Sequence, residues 1–366
     1  MTSEDVGPGG APRVPRWAAE IPSARSPGVP DAIALSPILS GRYRQPDLDR
    51  IGAAAPGARL VMVSTEGRSD HPLDEVEVLL SGWLSPEAID RVLARAPRLR
   101  WVHSAIGGVE SMVAATRRDP PLLLTNARGV FSRPVAEYVL MMILAIARRL
   151  PELMELQKER TWQPLEGREL RDVTIGIVGY GSIGREVARL AAPFGCRIVA
   201  TRRNPSLGSA AADGSDGAGE DGSGTKVDVM LAPEELPQLL READFVVLAA
   251  PLTEATENLV DDRALALMRP GAWLVNVSRG GLVDERALLR VLREGAVGGA
   301  VLDTFRQEPL PPTSPFYELP NVILTPLTSW SSGRVLDRSV ELFCDNLRRY
   351  AAGRPLRNLV DPAAGY

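Results

Sequence analysis

Three glycines near the middle of the chain, Gly179, Gly181 and Gly184, have the GxGxxG spacing of a phosphate-binding turn. The apolar run TIGIV before them predicts a buried strand, and the stretch REVARLAAPFG after them predicts a helix. In that context Gly179 permits a tight turn, Gly181 lets a pyrophosphate approach the backbone, and Gly184 allows close packing of helix on strand. A dinucleotide site is therefore predicted, with a ligand-free glycine turn as the alternative. The predicted site comprises Gly179, Tyr180, Gly181, Ser182, Ile183 and Gly184.

The end of the next predicted strand indicates which dinucleotide binds. Arg202 and Arg203 follow Thr201 where an NAD site usually carries a carboxylate for the ribose hydroxyl. A guanidinium instead offers planar, charged donors to the 2′-phosphate of NADP. The pair predicts NADP(H), with NAD less favoured. A solvated pair of arginines at a strand end is the alternative.

Short apolar runs alternate with amphipathic stretches along most of the chain, which predicts an α/β protein with parallel sheets. In the first half the predicted strands are Ala32–Leu35, Leu60–Val63, Val76–Leu80, Leu99–His103 and Leu122–Thr125, with a helix at Pro86–Ala94. In the second half they are Thr174–Val178, Arg197–Thr201, Phe245–Ala249, Ala272–Val277, Gly299–Leu302 and Val322–Thr325. The order of the second series is that of a doubly wound sheet.

Two long helices are predicted outside these series. The first is Ser132–Leu150, with Ser132 as its N-cap, Pro134 in its first turn, and Arg148 and Arg149 near its C-terminus. It is apolar nearly all round, which predicts burial at a domain or subunit interface. The second is Arg334–Ala351, which is expected to pack on the first domain.

The bulk composition limits the class of protein. A length of 366 residues accommodates two domains, and a net charge of -4 argues against nucleic-acid binding. The two cysteines lack metal-site spacing and are expected to be reduced thiols in the cytoplasm. The N-terminus has no secretory apolar region, and the longest apolar stretch is too short to span a membrane. Residues 1–30 and 207–226 are low in complexity and are predicted to be a disordered tail and a flexible insertion.

From about Leu99 to Asp361 the chain resembles the D-2-hydroxyacid dehydrogenase family, which includes glyoxylate/hydroxypyruvate reductases. The resemblance rests on WVHSAIGGVE, LTNARGVFSRPVAEYVL, GIVGYGSIG, PLTEAT, LVNVSRGGLVDERAL, AVLDTFRQEPLP, NVILTP and DNLRRYAAG, in that order. It implies two Rossmann-like domains with doubly wound parallel sheets and an interdomain cleft. Residues 31–126 with 326–366 would form a flavodoxin-like substrate-binding domain, and residues 127–325 the dinucleotide domain. It also implies a homodimer through the helix that begins at Ser132.

The resemblance further implies roles for individual residues. Arg279 would bind the carboxylate of a 2-oxo acid in a bidentate manner and polarise its keto oxygen, and Glu308 would hydrogen-bond the catalytic histidine of the family. The predicted substrate-binding residues are Ile106, Gly107, Gly108, Asn126, Arg279 and Trp330. The further predicted cofactor-binding residues are Pro251, Thr256, Ser278 and Asp303, the last on the nicotinamide side. Trp330, with Phe131 and Tyr138, suggests a pocket for an apolar substituent, although core packing explains these residues equally well.

One position departs from the family pattern. Where the family has the histidine of a TPH motif, this chain has Leu327, which can neither give nor take a proton. His71 lies in a polar, loop-like stretch, and His103 at a strand end is expected to be packed rather than catalytic. Tyr138 and Ser329 are expected near the site, but a phenol, with a pKa near about 10, is a poor acid at neutral pH. One hypothesis makes Glu308 itself a weak acid.

Three explanations of the leucine remain open. In the first, the enzyme reduces a substrate that needs no histidine, such as a protonated iminium. In the second, it is an impaired or engineered keto-acid reductase. In the third, the chain is a non-catalytic NADP(H)-binding protein that acts as a regulator. The retained Arg279, Glu308 and Asp303 favour an enzyme. The sequence therefore predicts an NADPH-linked reductase of a small 2-oxo acid or a related C=O or C=N compound.

Overall fold

The computed structural model describes residues 28–38, 43–82, 84–109, 112, 121–205 and 227–361. The predicted tail 1–30, apart from residues 28–30, and the predicted insertion 207–226 lie outside the described residues. The described part of the chain divides into two compact units. The first unit comprises residues 28–130 and 333–361, and the second comprises residues 131–205 and 227–332.

The limits of the units differ slightly from the predicted ones, which were residues 126 and 325. Arg338 donates from Nε to the backbone oxygen of Val130 at 2.9 Å, which ties the segment before residue 131 to the first unit. The backbone N–H of Thr328 donates to the Asp303 carboxylate at 2.8 Å, which ties the segment after residue 325 to the second unit. Long-range hydrogen bonds therefore set both limits.

The first unit is built on a five-stranded parallel sheet with the order β2-β1-β3-β4-β5. This is the flavodoxin-like order, in which β2 is added on one side of β1 and the later strands, starting with β3, on the other side. Its strands are β1 Ala32–Leu35, β2 Arg59–Met62, β3 Val76–Ser81, β4 Trp101–Ser104 and β5 Leu123–Thr125. Its helices are α1 Gln45–Ala54, α2 Pro86–Arg95 and α9 Val335–Ala351. The helix α1 was not predicted.

The second unit is built on a seven-stranded parallel sheet with the order β12-β11-β10-β9-β6-β7-β8. The strands are β6 Thr174–Val178, β7 Arg197–Thr201, β8 Val229–Leu231, β9 Phe245–Leu248, β10 Trp273–Asn276, β11 Gly299–Leu302 and β12 Val322–Leu324. The helices are α3 Ser132–Ala147, α4 Leu150–Lys158, α5 Ser182–Ala191, α6 Leu236–Glu242, α7 Asp262–Leu267 and α8 Glu285–Glu294. The prediction of doubly wound α/β sheets is confirmed, and β8 is an additional strand.

Alternation along the strands gives each sheet an apolar core on both faces. Val246 and Val247 in β9 belong to different clusters of buried side chains, as do Ile33 and Ala34 in β1. Such continuous apolar strands are typical of parallel sheets covered by helices. Within the described ranges, no helix has both the length and the apolar character that a membrane crossing requires.

The predicted helix Ser132–Leu150 is two helices. α3 ends at Ala147, and Arg149 adopts a left-handed φ of 56° before α4 begins. Pro151 explains the break, since it has no N–H to donate to the carbonyl of Ala147. That carbonyl instead accepts from the backbone N–H of Arg168 at 2.8 Å. The predicted cap is also wrong: the N-cap is Phe131, and the buried hydroxyl of residue 132 has no hydrogen-bond partner among the residues that the structure describes.

Candidate active site

The candidate residues of the second unit lie along one edge of its sheet. Gly179 follows β6, Arg202 follows β7, Arg279 follows β10, Asp303 follows β11 and Thr325 follows β12. All neighbouring strands are parallel, so their carboxyl ends meet at this edge. In open α/β sheets this edge is where ligands bind.

The glycine turn has the geometry that a dinucleotide requires. Gly179 has a φ of 99°, and a Cβ there would lie 2.7 Å from the backbone of Ala250. A Cβ on Gly184 would overlap the carbonyl oxygen of Gly179, so that the helix and the turn meet at backbone distance. A Cβ on Gly181 would meet nothing within 4 Å. The open space lies at the N-cap of α5, whose first amides have no intrahelical acceptor, and it suits a pyrophosphate.

These differences predict opposite effects of alanine at two glycines. Gly184→Ala is expected to destabilise the fold by about 1–3 kcal/mol through overpacking, which thermal unfolding measures. Gly181→Ala is expected to leave the Tm unchanged and to weaken NADPH binding by about tenfold or more, since its methyl group occupies the pyrophosphate space. Fluorescence titration measures the affinity. Unchanged binding by Gly181→Ala would argue against a cofactor at this turn.

Arg202 is held beside the glycine turn by a strand that the sequence analysis missed. Its backbone N–H donates to Leu231 in β8 at 2.9 Å, and Tyr180 donates to the carbonyl of Thr201 at 2.8 Å. Burial raises the pKa of the Tyr180 hydroxyl, while the charges of Arg185 and Arg202 oppose this rise. The Arg202 guanidinium therefore lies near the turn, as a 2′-phosphate ligand should, whereas Arg203 is exposed.

The hydroxyl groups of the other predicted cofactor residues bind the protein's own backbone. Thr256 Oγ1 donates to the carbonyl of Pro251 at 2.7 Å and accepts from the Thr253 amide at 2.8 Å. Ser278 Oγ donates to the carbonyl of Ala250 at 2.6 Å, which joins the ends of β9 and β10. These hydroxyl groups therefore stabilise the backbone that follows β9 and β10, and their cofactor contacts stay a prediction.

Arg279 lies in the wall of a cavity of about 450 Å³ within the second unit. The lining residues are Leu252, Glu257, Arg279, Gly280, Gly281, Phe305, Arg306 and Glu308. Arg279 Nη1 donates to the carbonyl of Ser278 at 2.9 Å, and its own carbonyl accepts from Asn276 Nδ2 at 2.9 Å. Glu308 Oε1 accepts from the backbone N–H of Phe305 at 2.9 Å. Arg279 and Glu308 thus line the same cavity, and their roles in catalysis stay a prediction.

Arg306 is a cavity residue that the sequence analysis did not identify. It donates to Glu257 Oε1 and to the carbonyl of Val283, both at 3.3 Å, and to the carbonyl of Gly281 at 3.1 Å. It also hydrogen-bonds Asn258. Through these contacts Arg306 connects the segment that contains Glu257 with the segment that contains Gly281 and Val283. Its position three residues after Asp303, in the FRQEP segment, is the only signal that the sequence carries.

Asp303 holds the turn on which Leu327 sits. Its carboxylate is fully buried and accepts from Thr325 Oγ1 at 2.6 Å and from the backbone N–H groups of Thr328 and Ser329 at 2.8 and 3.0 Å. Its backbone oxygen accepts from the N–H of Leu327 at 3.0 Å. The structure therefore assigns Asp303 a positioning role beyond the cofactor contact that the resemblance implied.

Leu327 has an unusual conformation for its residue type. Its φ is 48°, in the left-handed region, and 37% of the side chain is exposed. A branched apolar residue in this region loses about 1–2 kcal/mol relative to the usual conformations. The hydrogen bonds that Asp303 accepts from the backbone N–H groups of residues 327, 328 and 329 hold it there. They also fix the direction in which any side chain at this position would point.

Tyr138 cannot readily supply the missing proton. Its hydroxyl lies 2.6 Å from Thr325 Oγ1, and since Thr325 donates to Asp303, Tyr138 must donate to Thr325. Burial, and to a lesser extent Asp303, raises the pKa of Tyr138 to about 12, although the hydrogen bond with Thr325 lowers it. Trp330 meets Phe131 edge to face, with ring centroids 6.3 Å apart, and packs against the core.

The predicted substrate loop of the first unit is held from within that unit. Asn126 Nδ2 donates to the carbonyl of Gly107 at 3.1 Å, and its Oδ1 accepts from the Arg128 N–H at 3.1 Å. The carbonyl of Ile106 accepts from the N–H of Ala127 at 3.2 Å. Asn126 therefore positions the loop, and the substrate contacts of Ile106, Gly107, Gly108 and Asn126 stay a prediction.

His103 is a packed residue of β4, as the sequence analysis expected. It is fully buried, its ring lies 5.4 Å from that of Phe343, and its Nδ1 is 2.7 Å from Thr125 Oγ1. Burial lowers its pKa to about 3, so it is neutral at ordinary pH. His71, the other histidine, lies in an exposed position with Nδ1 3.1 Å from Asp70. Neither replaces the missing acid.

Known proteins resemble both the sequence and the fold. The family model "D-isomer specific 2-hydroxyacid dehydrogenase, NAD binding domain" matches residues 140–329. A glyoxylate reductase of Korarchaeum cryptofilum is 34% identical over 276 residues, 74% of this chain and 78% of that protein. An (S)-sulfolactate dehydrogenase of Chromohalobacter salexigens is 36% identical over 264 residues, 71% of this chain and 81% of that protein.

A solved structure agrees with these matches. A D-isomer-specific 2-hydroxyacid dehydrogenase from Xanthobacter autotrophicus Py2, in complex with NADPH and MES, has a TM-score of 0.77 and 29% identity. The match covers 92% of this chain and 99% of that chain. Sequence, sheet order and glycine turn thus agree, and the chain belongs to the D-isomer-specific 2-hydroxyacid dehydrogenase family, whose members are oxidoreductases.

Proposed function

We propose that this protein transfers hydride from NADPH to a small 2-oxo acid, or to a related C=O or C=N compound, without a histidine acid. The observation that carries the proposal is the position of Arg279. It lines a cavity at the sheet edge where the glycine turn also lies. An anion-binding guanidinium beside a dinucleotide turn is what reduction of an anionic carbonyl compound requires.

The residues around the turn support NADPH as the cofactor. The amides at the start of α5 would hold its pyrophosphate, and Arg202 would hold its 2′-phosphate. When bound, the cofactor supplies the hydride. The relative from Xanthobacter autotrophicus, whose structure contains NADPH, supports the same choice.

Arg279 would perform two tasks in the reaction. A bidentate contact to the substrate carboxylate fixes the orientation of the carbonyl carbon. The same positive charge stabilises the negative charge that grows on the keto oxygen when hydride arrives. The backbone of Arg279 is fixed by Asn276 Nδ2 at 2.9 Å, which keeps the guanidinium in place. A small anionic substrate is also consistent with the glyoxylate and sulfolactate enzymes among its relatives.

Replacing Arg202 tests the choice of cofactor and, with it, the proposed activity. Wild type is expected to oxidise NADPH with glyoxylate or hydroxypyruvate at a higher kcat/KM than NADH. Arg202→Glu is expected to reduce the preference by about 100-fold or more, because a carboxylate repels the 2′-phosphate and can accept from the ribose hydroxyls of NADH. Initial rates with both cofactors measure the ratio. Arg263→Glu, at an exposed arginine of α7, is the control for the change of charge and should leave the ratio as it is in wild type.

The absence of an acid favours a second candidate function, that of a non-catalytic NADP(H)-binding regulator. The residues that line the Arg279 cavity include no histidine, lysine, cysteine or tyrosine. In that case NADPH would bind tightly, and no carbonyl compound would accelerate its oxidation. The same initial-rate measurements separate the two functions.

We also propose that the protein is a cytoplasmic homodimer. Large apolar side chains are exposed on α3, on α4 and just beyond; they are Met141, Leu150, Leu153, Met154 and Trp162. A clustered apolar surface of this kind is typical of a subunit interface. The two cysteines, both buried and unpaired, suit a reducing compartment. Sedimentation velocity would distinguish the dimer from a monomer.

A further inference from the structure

We infer that the Arg279 cavity reduces 2-imino acids in preference to 2-oxo acids. This inference rests on the proposed function, because it concerns the same hydride transfer in the same cavity. The side chains that line the cavity include both positively and negatively charged groups.

Four charged side chains line the cavity: Glu257, Arg279, Arg306 and Glu308. Arg306 Nη1 lies 3.3 Å from Glu257 Oε1, and Arg279 Nη1 donates to the carbonyl of Ser278 at 2.9 Å. Glu308 accepts from the Phe305 amide through Oε1 only; within the described part of the chain, Oε2 accepts no protein hydrogen bond. Oε2 is therefore the acceptor that a ligand can use.

A ligand that matches this wall carries both an anion and a cation. A 2-iminio acid has a carboxylate for Arg279 and, on the adjacent carbon, a C=N–H⁺ group that can donate to Glu308 Oε2. A 2-oxo acid has the carboxylate but no cation. Its keto oxygen becomes negative during reduction, and the Glu308 carboxylate would oppose that charge. Glu308 thus favours the nitrogen substrate.

The proton balance leads to the same substrate. Hydride addition to a C=O group leaves an alkoxide that must take a proton, and the cavity wall has no side chain that is ordinarily protonated and acidic near neutral pH. Hydride addition to a C=N–H⁺ group consumes the positive charge and yields a neutral amine directly. NADPH is oxidised to NADP⁺, the imine carbon is reduced, and the amine later takes a proton from water. No protein acid takes part.

The substrate can form without the enzyme. A 2-oxo acid condenses with ammonia or a primary amine in water, with loss of one water molecule, to give the 2-imino acid. The product of its reduction is a 2-amino acid, or an N-alkyl amino acid when the amine carries an alkyl group.

The experiment compares pyruvate alone, pyruvate with methylamine, and pyruvate with tert-butylamine, all with NADPH at one pH and ionic strength. tert-Butylamine is the matched control, because its bulk disfavours imine formation. We expect methylamine, but not tert-butylamine, to raise the rate of NADPH oxidation in the presence of pyruvate by about 10- to 100-fold. This increase is part of the rate enhancement that a positioned acid normally supplies. Mass spectrometry should identify N-methylalanine as the product.

Two results would overturn the inference. Lactate as the only product, formed at a rate that methylamine does not change, would reject imine reduction and leave the proposed function intact. No NADPH oxidation under any of the three conditions would reject both together.

A charge-neutral variant tests the role of Glu308 separately. Glu308→Gln keeps an oxygen for the Phe305 amide but removes the negative charge. We expect the methylamine-dependent rate to fall by about tenfold or more relative to the rate with pyruvate alone, as loss of a charge-assisted hydrogen bond predicts. Glu318→Gln, at the exposed end of a short 3₁₀-helix, controls for the loss of one negative charge. Equal losses in both rates for Glu308→Gln would indicate a structural role and contradict the inference.

Discussion

Replacing Leu327 with histidine is expected to raise NADPH-dependent reduction of 2-oxo acids by about 10²–10⁴-fold, the usual contribution of a positioned acid. Imidazole ordinarily titrates near neutral pH, so a protonated fraction is available to the alkoxide as it forms. The turn should keep its conformation when histidine replaces Leu327, because Asp303 binds the backbone of residues 327, 328 and 329 rather than their side chains. Initial rates of NADPH oxidation with glyoxylate, hydroxypyruvate and phenylpyruvate measure the gain.

Leu327→Asn is the matched control for this variant. Asparagine tolerates the left-handed φ of 48° better than leucine does, so it relieves the backbone without adding an acid. Only the histidine variant should gain rate, and its rate should fall as pH rises through the pKa of the new imidazole. Equal gains in both variants would mean that backbone strain, rather than the missing acid, limits the reaction.

The same pair of variants distinguishes the two substrate classes. Reduction of a C=N–H⁺ group needs no acid, so histidine should add little to the methylamine-dependent rate. If histidine restores no reduction of any substrate while NADPH still binds, the regulatory function becomes the better explanation. Asp303 holds the turn through its backbone rather than through the side chain of residue 327. Both substitutions should therefore leave the backbone of the turn in place.

The parts of the site that the sequence predicted well are those set by local pattern. The glycine spacing defines a turn between one strand and one helix, and the structure shows the three distinct environments that the spacing implied. The apolar runs likewise predicted eleven of the strands to within about two residues, because parallel strands are buried on both faces. The short β8 was missed, since it follows the low-complexity segment and only three residues pair with β7.

The sequence did not predict which protein groups the side chains of Asp303 and Asn126 would bind. The carboxylate of Asp303 binds Thr325, Thr328 and Ser329, more than twenty positions away. The amide of Asn126 binds the backbone of Gly107 and Arg128, and the ligand contacts of both residues stay predictions. Residue types indicate which chemistry is available, but only the packed fold decides which partner takes each hydrogen bond.

His103 is expected to make stability strongly dependent on pH between about 6.5 and 3. In the folded protein burial lowers its pKa to about 3, whereas an unfolded histidine has a pKa near about 6.5. Across that range the unfolded state binds one proton more than the folded state. Stability is therefore lost as pH falls, by about 1.4 kcal/mol per pH unit, and the loss levels off below the folded-state pKa.

Urea unfolding of wild type and His103→Phe at a series of pH values isolates this contribution from that of the carboxylates. Phenylalanine keeps an aromatic ring against Phe343, and Thr125 Oγ1 still accepts from Trp101 Nε1 at 2.8 Å. The difference in unfolding free energy should grow in favour of the variant as pH falls from 6.5 to 4.5. His71→Gln, at the exposed histidine, should follow wild type. Parallel curves for wild type and His103→Phe would mean that the imidazole takes up a proton inside the folded core. Its apolar surroundings oppose this, as does its Nε2, which has no hydrogen-bond partner in the described part of the chain.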